Sequence, residues 1–142
     1  MELKNNMRFV EIHSNSLCLF SVTEISFLIL LLDQEYQIEM GYGSEWSQSY
    51  FLEHTRMSNA TFTKCVNRLE SIGVLLSSKN RPGEKKKYRL NREAYEKIIL
   101  LLDTTNNIDA LCDFCEIHFS KGHSIFDVTE EQLLQLGSAR TV

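Results

Sequence analysis

Cys112, Cys115, His118 and His123 are the residue types that bind zinc, and they lie close together. Two cysteines one helical turn apart can share a metal, and two cysteines with two histidines form a real ligand set. The long spacer that usually separates the ligand pairs is missing. Cys112 and Cys115 also fall on the apolar stripe of a helix. Buried thiols are therefore the favoured reading, and no metal or other cofactor is expected. Cys65 falls on the core face of another helix, and Cys18 has no flanking cation to activate it. His13 and His54 have no carboxylate or nucleophile at a useful spacing. No Gly-rich phosphate loop, nucleophile elbow or metalloprotease pattern occurs. The chain is not expected to be an enzyme.

Charge is the stronger signal. The 142 residues carry a net charge of −4. Ten of the 15 Lys and Arg nevertheless lie between Arg56 and Arg92, where only Glu70 and Glu84 oppose them. A basic block in an otherwise acidic chain makes a polarised field that can orient a protein on a polyanion. A solvated charged face would have the same composition, so the elements that carry these residues must decide.

The composition is 43% hydrophobic and 24% charged, ordinary for one globular domain with an appendage. One proline and six glycines favour long helices over a loop-rich sandwich. Residues 7–12 are expected to form a short extended arm, with Val10 and Ile12 on one side. Ser21 and Glu24 have capping-box spacing. The helix they start is expected to run to about Asp33, with Ile25, Leu28, Ile29 and Leu32 as its buried stripe. Gln37 to Gly43 could form a short strand, with a turn at Gly41 and Gly43. A second helix is expected from near Ser47 to near Thr55. A third is capped by Ser58, buries Phe62, Cys65, Val66, Leu69 and Ile72, and stops at Gly73. Residues 74–90 have the pattern of a β-hairpin turning at Pro82-Gly83, with Tyr88 and Leu90 on one face. Helices are expected over about 92–103 and 108–119. The second of these carries Ile108, Leu111, Cys112, Cys115 and Phe119 at helical spacing. A short last helix begins near Thr129, and a frayed tail follows from Gly137.

The order is helix, helix, tight turn, helix, basic hairpin. Residues 49–75, SYFLEHTRMSNATFTKCVNRLESIGVL, resemble the core of winged helix-turn-helix proteins. Met57-Ser58-x-x-Thr61-Phe62 matches the start of the recognition helix, and Arg68-Leu69-Glu70-x-x-Gly73-Val74-Leu75 matches the exit into the wing. The chain also resembles regulators of the multiple-antibiotic-resistance type and replication proteins of phages and plasmids. The resemblance covers residues 7–91. Two positions depart from it. Arg56 stands where the turn usually has glycine, and Leu52 stands where a close helix approach usually has alanine. Both imply a slightly opened helix pair.

The resemblance implies a mainly α fold with a small β-wing. Residues 1–91 would form the DNA-binding domain and 92–142 a helical extension for packing or dimerisation. Once the buried stripe of the third helix is set aside, Ser58, Asn59, Thr61, Thr63, Lys64, Asn67 and Arg68 remain to meet DNA. Asn pairs with adenine, Arg or Lys with guanine, and Thr reaches phosphate or a thymine methyl. Lys79, Arg81, Lys85, Lys86 and Lys87 on the wing would grip the backbone. The expected function is sequence-specific binding of double-stranded DNA by a homodimeric transcriptional regulator. The alternatives are a replication-initiation or replisome-organising protein and a winged-helix protein-interaction module. The first six residues lack an apolar signal core, and Ile25 to Leu32 is far too short to span a bilayer. A cytoplasmic protein without membrane contact is expected, its four cysteines as thiols.

Overall fold

Ser21 starts the first helix as its spacing predicts. Its hydroxyl accepts from the Glu24 N–H at 3.2 Å, and the Glu24 carboxylate accepts from the Ser21 N–H at 2.8 Å. In the computed structural model, which describes residues 10–78 and 82–138, this helix is α1 (Val22–Glu39). It is followed by β1 (Trp46–Ser47), α2 (Gln48–Thr55), α3 (Asn59–Ile72), β2 (Leu75–Ser78) and β3 (Lys87–Leu90). Three more helices complete the chain: α4 (Arg92–Asp103), α5 (Ile108–Ser120) and α6 (Glu130–Ser138). Single 3₁₀ turns precede α1 at Ser16–Cys18 and α6 at Ile125–Asp127. The fold is mainly helical with one small antiparallel sheet, in the order β1-β3-β2.

β3 is the central strand, with Tyr88 opposite Trp46 on one side and Ser77 on the other. One aromatic ring from each of four elements meets behind it. Phe27 of α1 stacks on Phe51 of α2 at 4.6 Å and on Phe62 of α3 at 5.4 Å. Tyr88 closes the group edge-on, 5.4 Å from Phe62. Offset and edge-to-face pairs of this kind stabilise a core beyond their buried area. Tyr88 and Leu90 are both buried, as their alternation predicts.

Three details of α1 differ from the sequence expectation. The helix runs past Asp33 to Glu39, so Gln37 to Gly43 contains no strand. Its buried face is Glu24, Phe27, Leu28, Leu31, Gln34 and Glu35. Ile25 and Leu32 are only partly buried, and Ile29 is exposed. The cause is polar packing. Gln34 is fully buried, accepts from the Trp46 N–H at 2.6 Å and donates to the Tyr88 carbonyl at 2.9 Å. A buried backbone group needs such a partner, and here the last two turns of α1 supply it. The apolar pattern that ends at Leu32 therefore does not mark the helix end.

The other helices follow their caps. Ser58, Asn91 and Asn107 each accept from a backbone N–H at the start of α3, α4 and α5. α2 and β1 meet at Ser47, as a helix beginning near that residue requires. On α5, Leu111, Cys115, His118 and Phe119 are buried, whereas Ile108 is 52% exposed and lies off the core stripe. α6 extends through Gly137 to Ser138. Residues 10–13 form no helix or strand, and residues 7–9 of the expected arm lie outside the described residues. The buried side chains of α4, α5 and α6 join the same hydrophobic cluster as those of α1 to α3. No helix among the described residues is long and apolar enough to cross a membrane.

Replacing Gln34 with Leu should keep the volume but strip the partners from two strand groups. Each unsatisfied buried group costs about 1–3 kcal/mol, so denaturant unfolding should show a loss of about 2–5 kcal/mol. A loss below about 0.5 kcal/mol would mean that the amide does not tie α1 to the sheet.

Candidate nucleic-acid interface

The residues of α3 and its cap that are expected to face DNA separate into three groups in space. Ser58 and Thr61 form the N-terminal cap of α3. The Ser58 hydroxyl accepts from the Thr61 N–H at 3.1 Å and donates to the Thr61 hydroxyl at 3.0 Å. Asn59, Thr63, Lys64 and Asn67 are exposed along the face of α3 opposite its buried stripe. Asn59 accepts from the Gln48 side-chain amide at 3.1 Å, which links the starts of α2 and α3. Thr63 donates to the Asn59 carbonyl at 3.0 Å.

Arg68 belongs to the third group. Its guanidinium donates to Glu24 of α1 at 2.7 Å and to the Leu19 carbonyl at 2.8 Å. Glu24 is buried, so the pair lies at the seam between α1 and α3. This corrects the expectation that Arg68 extends toward a base edge, because its fork of donors is already engaged. A planar guanidinium suits two acceptors held in fixed directions.

Arg89 and Arg92 are engaged in the same way. Both donate to the buried carboxylate of Glu35, at 2.9 and 2.7 Å, and Arg92 also donates to Glu39. Burial raises the carboxyl pKa of Glu35, but the hydrogen bonds and charges of the two arginines outweigh it and hold the group below its ordinary value. Three of the ten cations counted in the Arg56–Arg92 block are thus paired with acids of α1.

Lysines and the exposed Arg56 carry the remaining field among the described residues. Lys64, Lys85, Lys86 and Lys87 are exposed, and no ion pair among the described residues involves them. Lys85 and Lys86 border an open groove of about 470 Å³ between the hairpin and α2, with Gln48, Ser49 and Leu52 opposite. Lys79 and Arg81 lie outside the described residues. The turn between α2 and α3 passes through Arg56 at φ 59°, in the left-handed region, where glycine is usually favoured.

Sequence reasoning missed Gln48. It lies eleven residues before Asn59 on another helix, so no spacing rule connects them. His54, considered for catalysis and set aside, caps a ladder of rings on α2. Trp46 stacks on Tyr50 at 3.8 Å, and Tyr50 on His54 at 4.0 Å.

The chain matches no protein-family model, no curated protein and no solved structure.

The rings of His118 and His123 lie 5.1 Å apart, but the cysteines and histidines do not gather as one ligand group among the described residues. Cys115 is buried, and burial pushes its thiol pKa up to about 12. His118 stacks on Phe114 and its Nε2 is 2.9 Å from the Ser124 carbonyl, while the exposed His123 lies beside Asp127. Cys112 neighbours Cys18, whose thiol pKa is also pushed up to about 12, by burial and by Cys112. Among the described residues no group of three or more His, Cys, Asp or Glu is placed to hold a metal.

The Glu35 cluster gives stability a pH signature. A carboxyl with a lowered folded pKa stabilises the fold above its unfolded pKa and loses that contribution as pH falls through the folded value. The difference in unfolding free energy between the native chain and Glu35→Gln should be largest near neutral pH. It should shrink below about pH 4. A gap that is constant from pH 7 to pH 3 would show that the charge on Glu35 contributes nothing.

Proposed function

We propose that this chain is a winged helix-turn-helix protein that binds double-stranded DNA sequence-specifically, as a cytoplasmic transcriptional regulator acting by site occupancy. One observation carries the proposal. The exposed side of α3 holds Asn59, Thr63, Lys64 and Asn67, and an exposed lysine run lies on the adjoining hairpin. The element order supports it, since the α2–turn–α3 unit runs directly into the β2–β3 hairpin and β1 pairs along the far side of β3.

In this reading α3 enters the major groove. Asn67 and Lys64 meet base edges, and Thr63 meets a phosphate or a thymine methyl. Ser58 and Thr61 hold the start of the helix, and Gln48 fixes Asn59 from the side. Lys85, Lys86 and Lys87 lie along the backbone and contribute affinity without sequence choice. A two-fold target would be read by a homodimer, with one α3 in each half-site. No catalytic step or cofactor is part of the proposal.

Fluorescence anisotropy with a random duplex across a salt series tests the lysine run. Changing Lys85, Lys86 and Lys87 together to Ala should lower the slope of log K against log salt by about 2–3, since each phosphate contact contributes about 0.9. An unchanged slope removes the hairpin from the interface. Absence of binding by the native chain at low salt overturns the proposal itself.

Two further variants separate reading from folding. On a site recovered by selection from random DNA, Asn67→Ala should lose about 1–3 kcal/mol of discrimination with little loss of stability. Arg68→Ala should instead lower thermal stability and leave discrimination nearly intact. Equal losses on specific and random DNA for Asn67→Ala would contradict base reading.

A further inference from the structure

The C-terminal helices carry a second, chemically opposite surface. Between α4 and α6 runs a groove of about 700 Å³, larger than the one beside the hairpin. Leu100, Leu133 and Leu134 provide its apolar lining, and Asp103 and Glu130 border it. Leu100 is 58% and Leu134 72% exposed. Thr104 and Gly137 bring the two helices together at one end, where a Cβ on Gly137 would lie 3.8 Å from the Thr104 methyl.

Acidic charge continues beyond the groove. Glu96 and Glu93 lie one and two turns before Leu100 on the same side of α4, with Lys97 as the one cation between them and Leu100, and all three are exposed. Neither they nor Glu130 takes part in an ion pair among the described residues. Asp103 is reached by His13 at 3.4 Å and keeps a largely exposed carboxylate. Residues 93–138 hold nine carboxylates and two lysines.

We infer that the α4–α6 groove docks a cationic amphipathic helix of a partner protein. The apolar lining would take leucine-sized side chains at helical spacing, and the carboxylates on its rim would meet the partner's Lys or Arg. α4 is about 18 Å long, enough for about three turns of a docked helix. The charge decides among occupants. DNA is repelled by the carboxylates. A second copy placed by a two-fold axis across this groove would bring two carboxylate-bearing rims together. A basic helix meets neither obstacle. The chain then has two faces, the lysine-bearing one that the proposed function places on DNA and an acidic apolar one that recruits protein.

The test uses the full chain and a fluorescein-labelled helical peptide, LKKLLKLLKKLLKL, with a version in which Glu replaces every Lys as control. Anisotropy should show saturable binding of the cationic peptide and at least about tenfold weaker binding of the anionic one. Leu100→Ser with Leu134→Ser should weaken the cationic peptide about tenfold or more. Both leucines are already exposed, and thermal melts verify that the variant is folded. Glu96→Lys with Glu130→Lys should reverse the preference between the two peptides. Affinity for random duplex DNA should be unchanged in the leucine variant, so this result stands apart from that of the DNA proposal. Three outcomes overturn the inference. One is no saturation by the cationic peptide up to millimolar concentration. Another is equal binding in the leucine variant. The third is concentration-dependent self-association in sedimentation that the leucine changes abolish, which would assign the groove to a second copy.

Discussion

One buried side-chain amide ties α1 to two strands of the sheet. Gln34 accepts from the N–H of Trp46 in β1 and donates to the carbonyl of Tyr88 in β3, and it has no exposure to water. The sheet has only two or four residues per strand, so its own ladder is too short to set its position. The amide on α1 holds it, together with the Glu35–Arg89 pair beside it. Once β3 is placed, Tyr88 completes the ring cluster with Phe27, Phe51 and Phe62, which in turn sets how α2 and α3 lie against α1.

The same helix sorts the positive charges. Glu24, Glu35 and Glu39 of α1 engage Arg68, Arg89 and Arg92. These arginines come from α3, β3 and α4, so each pair is also a clasp between α1 and another element. Arginine suits this role because its fork can reach two acceptors at once. Lysines, with compact hydrated charges, are left outside. Among the described residues the basic block is therefore two populations: three arginines that hold the fold, and four lysines with Arg56 that face outward. That division gives the proposed DNA face its character and explains why a simple charge count overstated it.

Much of the architecture was legible because local chemistry announces it. Ser21, Ser58, Asn91 and Asn107 cap their helices, Gly73 ends α3 at φ 105°, and Tyr88 and Leu90 alternate with the exposed Lys87 and half-buried Arg89. The face of α3 followed from its strict apolar spacing. The length and rotation of α1 did not, because Gln34 and Glu35 have the same appearance in a linear pattern as solvent-facing residues. Their partners lie 54 residues away in the case of Tyr88 and Arg89. Arg68 misled for the same reason, with Glu24 44 residues upstream. Polar groups that are buried through long-range pairing leave no periodic trace.

The most direct measurement is an amide chemical-shift titration of the isotope-labelled chain with a short random duplex. The account predicts shifts on the exposed face of α3, at Asn59, Thr63, Lys64 and Asn67, and along residues 85–87. The amides of Leu100 and Leu134, on the acidic side, should stay in place. Shifts centred on α4 and α6, or none at α3 at saturating DNA, would contradict the proposed division of the molecule into a lysine-bearing face for DNA and a separate acidic groove.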